Sequence, residues 1–145
     1  MALIQRIIHA ITVVQPPHPL FVHFPIALIS TALFFLLLAL WRKNDLLEKI
    51  AFANLALAVV SILVAGIVGY RDNIVIFKNG APNHIAKITI ASTLFVLTGA
   101  IVLLRWRNPD LFHGRYRAVY VAAHFLAFAL VAVQGFLGAI IVYGF

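Results

Sequence analysis

Four long apolar runs dominate this sequence, and none of them contains an acidic residue. They cover residues 20–41, 50–70, 85–104 and 118–143. Each is long enough for a membrane-spanning helix, which needs about 20 apolar residues to cross the hydrocarbon core. Transmembrane β-strands would instead show short segments of alternating polarity. The runs therefore predict an all-α integral membrane four-helix bundle that occupies residues 16–145.

The overall composition leads to the same fold class. Of the 145 residues, 64% are hydrophobic and 10% are charged, whereas a soluble domain carries about 25% charged residues. A single domain of this size has too little interior to bury so much apolar surface. The excess must face lipid, so we expect the lipid bilayer to surround this chain.

Residues 1–15 form a separate segment that is too short to span a bilayer. Its apolar residues recur at helical spacing, as Leu3, Ile4, Ile7, Ile8, Ile11 and Val14. The pattern predicts a short amphipathic helix lying at the membrane interface. A signal peptide is the alternative, but His9 interrupts the apolar stretch and no small-residue cleavage site follows it.

The distribution of basic residues predicts the orientation in the membrane. With four spans, both termini and the second connection lie on one side, which carries Arg6, Arg71, Lys78 and Lys87. The first and third connections lie on the opposite side, which carries Arg42, Lys43, Lys49, Arg105, Arg107, Arg115 and Arg117. The side richer in lysine and arginine faces the cytoplasm. We therefore expect a bacterial cytoplasmic membrane protein with both termini in the periplasm.

Several function classes are disfavoured by what the chain lacks. It has no cysteine, which excludes disulfides and cysteine-ligated clusters. Nucleophile-elbow, phosphate-loop and dinucleotide-binding motifs are absent as well, so we do not expect an enzyme. No acid lies in any predicted span, which argues against a proton pump. The net charge of +7 fits loops on anionic lipid, and we expect no nucleic-acid partner.

The histidines are the side chains with the richest chemistry. His18 and His23 open the first span and His84 opens the third, so all three belong to the predicted periplasmic side. Ionisable residues at membrane depth are costly and are functional-site hypotheses by default. We therefore consider His23 and His84 as ligands of a cofactor metal, with His18 as an alternative. A hydrogen bond that locks the first span to the third is the simpler reading.

Two further observations bear on such a site. His18 and His23 are five residues apart, or about 140° on a regular helix, so they should not share one face. Asp72 and Gln134 could support a ligand from the same side, by orienting an imidazole or by contacting a quinone. Small residues also cluster there and indicate either close helix packing or space for a flat ring: Gly66, Gly69, Gly135 and Gly138.

Four stretches of this sequence resemble one family. The stretch 18–28, HPLFVHFPIAL, resembles the opening of the bacterial four-helix membrane family called domain of unknown function 2231. The stretch 66–72 (GIVGYRD), His84 and the stretch 134–138 (QGFLG) are similar to later parts of that family. The resemblance covers residues 17–144. It carries no assigned activity, but fusions of some members to Rieske-type or cytochrome-type modules imply a redox setting by association.

The leading hypothesis is a membrane subunit that binds a b-type haem near the periplasmic face through His23 and His84. It would transfer electrons between a quinone pool and a periplasmic carrier. The alternative is a non-catalytic accessory subunit that braces a respiratory or photosynthetic complex and binds no cofactor, or a chlorophyll-type pigment. A third possibility is a zinc or copper site made by all three histidines, since neutral imidazole suits these metals.

Overall fold

Four long helices account for most of the chain. The computed structural model describes residues 2–9 and 17–143, and within these ranges it contains helices and no strand. The elements are α1 (Ala2–His9), α2 (His18–Arg42), α3 (Asp45–Val75), α4 (His84–Arg107), a 3₁₀ helix (Pro109–Phe112) and α5 (Arg117–Tyr143). Helices α2 to α5 are long and apolar enough to cross a membrane. The predicted all-α membrane bundle is therefore confirmed.

The four long helices form a closed ring of contacts. Helix α2 packs against α3 and α5, and α4 packs against the same two helices. Helices α2 and α4 are therefore diagonal to each other. Short connections make neighbouring helices antiparallel, so α2 and α4 begin at one end of the bundle. We call this the histidine end, because His18 and His84 lie there, and the opposite end the basic end.

The interior is a seam of small and branched residues. On α3 it follows helical spacing with Ala51, Leu55, Ala58, Ile62 and Ala65, all buried. Small side chains let neighbouring backbones approach closely. Such packing matters in a membrane, because lipid is as apolar as the helices and the hydrophobic effect does not drive them together. The large apolar residues on the outer faces remain exposed and form the lipid-facing surface.

Helix α3 is longer than the predicted span. It covers Asp45–Val75 instead of residues 50–70 and includes the acids Glu48 and Asp72, which are 1% and 2% exposed. The predicted span, residues 50–70, itself carries no acid, but α3 continues beyond it at both ends and buries these two carboxylates. The reason is pairing: each carboxylate meets an arginine, and a paired, hydrogen-bonded charge can be buried.

The turn between α2 and α3 is tight. Lys43 ends α2 in the left-handed conformation, with φ 51°. The Asn44 side chain then accepts a hydrogen bond of 2.8 Å from the Leu46 backbone N–H, which is the usual way an asparagine caps a helix start. This turn fixes Lys43 at the basic end of the bundle.

The predicted amphipathic segment, residues 1–15, can be compared with the structure over residues 2–9. Helix α1 is present, and Leu3 and Ile4 are exposed on it. The predicted apolar positions Ile11 and Val14 lie outside the described residues. Its position on a membrane surface stays a prediction.

The seam gives a direct test of packing. Leu55→Ala removes a side chain that is fully buried, whereas Leu57→Ala trims one that is 60% exposed on the same helix. We expect Leu55→Ala to lower the free energy of unfolding by about 2 kcal/mol, at the low end for buried leucines, because lipid is as apolar as the core. Leu57→Ala should change it little. SDS titration of the protein in micelles measures both, and equal losses would contradict the assignment of the core.

Candidate functional site

At the histidine end, Asp72 joins the end of α3 to the start of α2. Its Oδ2 accepts a 2.9 Å hydrogen bond from the His18 backbone N–H. Its Oδ1 lies 3.0 Å from Arg71 Nη1. The first N–H groups of a helix have no carbonyl partner within the helix, so a carboxylate that accepts from one of them satisfies it. The negative charge is also favourable beside the positive end of the helix dipole. Asp72 therefore bonds the backbone of a histidine, and its expected role of orienting a ligating imidazole ring stays a prediction.

The His18 ring lies in a notch on α3. Its Nδ1 is 3.0 Å from the Ala65 carbonyl oxygen, and a Cβ added at Gly69 would come within 2.7 Å of the ring. The space left by Gly69 is thus filled by the imidazole. By contrast, a Cβ at Gly66 or Gly138 would meet nothing within 4 Å, so those glycines border open space.

His23 lies on a different face of α2 from His18. The buried side of α2 is marked by Pro25, Ile29 and Leu36, and His23 precedes Pro25 by two residues, about 160° around the helix. Its ring is exposed, and Nδ1 lies 2.5 Å from the Pro19 carbonyl oxygen. The predicted divergence of His18 and His23 is therefore observed, and His23 faces away from the bundle interior.

Helix α4 contributes His84 and Lys87 to the same end. His84 is half-buried, and its Nδ1 is 2.9 Å from the Ala81 carbonyl oxygen. One turn later, the Lys87 carbonyl accepts a 3.2 Å hydrogen bond from Gln134 Nε2, which ties α5 to α4. Gln134 Oε1 is buried, and no partner for it lies in the part of the chain that the structure describes. Gln134 thus bonds to a neighbouring helix.

The three rings share one hydrogen-bonding arrangement. In His18, His23 and His84, Nδ1 faces a main-chain carbonyl oxygen. A carbonyl can only accept, so Nδ1 is the donor in each ring, and in a neutral imidazole held this way Nε2 keeps the lone pair. Metal-ligating histidines use this arrangement, with the far nitrogen bound to a carbonyl or carboxylate.

These histidines do not gather into one cluster. Their ring hydrogen bonds go to three separate carbonyls, and none joins two histidines. Over residues 2–9 and 17–143, no group of three or more histidine, aspartate or glutamate side chains could hold a metal ion. The three-histidine zinc or copper site is not formed in this structure. The pairing of His23 with His84 on one iron stays a prediction.

A second polar cluster, at the basic end, was not predicted from the sequence. Arg105 Nε and Nη2 each lie 2.7 Å from one oxygen of Glu48, and Tyr120 Oη donates to Glu48 Oε1 at 3.0 Å. These residues link α3, α4 and α5. The sequence signal was the position of Glu48, three residues before Ala51 and hence on the buried side of α3.

His124 extends this cluster along α5. It is 1% exposed, its Nδ1 is 2.9 Å from the Tyr120 carbonyl oxygen, and its ring meets Tyr120 edge-on at 4.6 Å. Its Nε2 has no hydrogen-bond partner among the described residues. His124 thus makes a polar contact inside the bundle, to its own helix.

Comparison with known proteins gives one match. The family model described as "Predicted membrane protein (DUF2231)" matches residues 14–145. The chain belongs to the DUF2231 family. No curated protein and no solved structure gives a significant match.

In this DUF2231 protein, the residues that carried the resemblance have distinct structural tasks. His18, Gly69 and Asp72 contact one another at the junction of α2 and α3. His23, from the same sequence motif as His18, takes no part in this junction and faces outward. The motif therefore contains one histidine, His18, that bonds α2 to α3, and another, His23, whose ring bonds only within α2.

The notch on α3 predicts a sharp difference between two glycines. Gly69→Ala should push the His18 ring away from Ala65 and lower the free energy of unfolding by about 1–3 kcal/mol, as overpacking does. Gly66→Ala should be neutral or slightly stabilising, because alanine favours helix. Thermal unfolding in micelles measures both. Adding His18→Ala to Gly69→Ala should recover part of the loss, and an equal effect of the two glycine variants would refute the notch.

The two acids at the start of α3 should behave differently in this DUF2231 protein. Glu48→Gln leaves Arg105, whose side chain is 13% exposed, without a counter-charge; we expect a loss of about 3 kcal/mol, as for other buried pairs. Asp45→Asn affects a pair with His113 in which both side chains are about 60% exposed, so the loss should stay below about 1 kcal/mol. SDS titration compares them, and similar losses would show that the Glu48 cluster is not buried in the membrane protein.

Proposed function

We propose that this DUF2231 protein is a non-enzymatic subunit of a larger membrane complex, in which His23 supplies an axial nitrogen to a b-type haem. In this proposal the histidine end lies at the periplasmic face of a bacterial cytoplasmic membrane. The subunit then takes part in electron transfer between a quinone and a periplasmic carrier.

The observation that carries the proposal is the state of the His23 ring. It is exposed, and its Nδ1 is held by the Pro19 carbonyl at 2.5 Å. In a neutral ring held this way, the Nε2 lone pair is available to a ligand. An exposed imidazole on an apolar helix is costly to leave facing lipid. A bound metal would use the Nε2 lone pair, and the bond at Nδ1 would orient the ring and raise its basicity.

The surroundings of His23 fit a flat apolar group on the outside of the bundle. Leu20 and Phe24 flank it on α2, and both are exposed. His84 lies on α4, diagonal to α2, and bonds to a different carbonyl. These residues fit a haem on the surface of α2 better than one clamped between α2 and α4. The second axial ligand would then come from another subunit.

When bound, the haem would supply one-electron redox chemistry. The chain itself would position the iron through His23 and cover one side of the ring with the apolar surface of α2. Axial ligand and burial are the main means by which a protein sets a haem potential. A chlorophyll-type pigment needs only one axial histidine and is the other ring that His23 could hold.

A second function is favoured by a different observation, the use of His18 as a link between helices. Its ring and backbone both bond to α3, so at least one motif histidine is structural. On this reading the protein is an accessory subunit without cofactor, which braces a respiratory or photosynthetic complex through its apolar faces. Its histidines would be hydrogen-bonding residues only.

An absorption spectrum separates these functions. The protein is purified gently from its native membrane and recorded oxidised and dithionite-reduced, beside His23→Ala, His84→Ala and His18→Ala. Sharp bands on reduction that are lost in His23→Ala and retained in His84→Ala would support the haem on the surface of α2. Circular dichroism of each variant establishes that the bundle remains folded.

The other outcomes decide among the alternatives. Loss of the bands in both His23→Ala and His84→Ala would mean that both residues ligate one iron. Far-red bands that do not respond to reductant would indicate a chlorophyll-type ring. A colourless folded protein, isolated with its partner complex intact, would overturn the cofactor and leave the bracing subunit.

A further inference from the structure

A groove of about 780 Å³ opens at the basic end, between the last turns of α2 and the first turns of α5. It lies at the opposite end from His18, His23 and His84 and shares no residue with that site. Its walls are apolar and its rim is basic. The walls include Leu40, Val121 and Phe125, and the rim carries Lys43, His113 and Arg117.

Two of the rim cations keep their charge unpaired. Neither Lys43 nor Arg117 forms an ion pair with any carboxylate in residues 2–9 and 17–143. Of the three acids at this end, Asp45 lies 2.8 Å from His113, Glu48 pairs with Arg105, and Asp110 pairs with neither rim cation. No acidic side chain lines the groove. The rim therefore offers two free positive charges above an apolar wall.

We propose that this groove binds an acidic phospholipid, with the phosphate at Lys43 and Arg117 and one acyl chain against Leu40, Val121 and Phe125. Basic pockets between transmembrane helices are suited to anionic headgroups. The occupant must carry both features, because a phosphate ion would leave the apolar wall exposed and a zwitterionic lipid would leave the rim charges uncompensated.

Local backbone geometry places both cations on the rim of the same groove. Lys43 is fixed in the left-handed turn that ends α2, and Arg117 is the first residue of α5. A phosphate between them would link these two helices, which pack directly against each other. It would also reduce the repulsion between two like charges at one helix junction.

Native mass spectrometry of the full-length protein tests the proposal. The protein is exchanged into micelles with equal amounts of dioleoyl phosphatidylglycerol and dioleoyl phosphatidylcholine, and the retained lipids are counted. We expect about a tenfold preference for phosphatidylglycerol, because each basic residue near the surface adds attraction for an anionic lipid. Lys43→Gln with Arg117→Gln should abolish this preference.

Matched variants separate the groove from general effects. Lys49→Gln with Arg107→Gln removes the same charge from exposed residues at the basic end that do not line the groove, and should keep the preference. Ala122→Phe fills the apolar wall and should weaken retention of both lipids, whereas Ala129→Phe, two turns further along α5 and outside the groove, should not. Thermal unfolding establishes that each variant is folded.

Each contrary result overturns the proposal. Equal retention of the two lipids by the wild-type protein would mean that the rim charges select nothing. Equal loss in both double variants would mean that net charge, and not the groove, attracts the lipid. Displacement of phosphatidylglycerol by millimolar glycerol phosphate, with no effect of Ala122→Phe, would mean that the site binds a soluble anion.

Discussion

The whole structure depends on one property of lipid: it cannot form hydrogen bonds. The backbone polar groups of a spanning helix must therefore find their partners within the protein, and a buried charge needs a partner as well. In this bundle the two buried acids of α3 meet that requirement at opposite ends. Glu48 binds Arg105 and Tyr120 at the basic end, and Asp72 binds Arg71 and the start of α2 at the histidine end. Between these two clusters the core consists mainly of alanine and of branched apolar side chains such as Ile29, Leu36 and Leu55.

Because the buried acids lie at opposite ends, different side chains remain available for binding at each end of the bundle. At the basic end the cluster around Glu48 is internally neutral, and the groove cations Lys43 and Arg117 are available to an outside anion. At the histidine end the junction uses His18 fully and leaves His23 on the outside. The polar groups of both proposed sites, His23 at one end and Lys43 and Arg117 at the other, are thus side chains for which no hydrogen bond or ion pair between helices is seen in the described part of the chain.

The fold could be predicted from the sequence because four apolar runs of spanning length admit few arrangements. The ends of α3 could not, because they depend on pairs that join residues 57 positions apart in sequence, such as Glu48 and Arg105. Hydropathy also does not fix the rotation of a helix about its axis. The five-residue spacing of His18 and His23 predicted that they diverge, but only packing determined that His18 faces α3 and His23 faces outward.

The contacts of Asp72 have a consequence for how the protein is made. Helices α2 and α3 share the most extensive interface in the bundle, a tight turn at one end and the His18–Asp72 junction at the other. All of these interactions lie within residues 18–75. A ribosome that has delivered this stretch to the membrane has already supplied everything needed to close the first hairpin. Helices α4 and α5 can then pack against a hairpin that is already formed. The buried carboxylate of Glu48 gains its counter-charge only at this later step, when α4 brings Arg105.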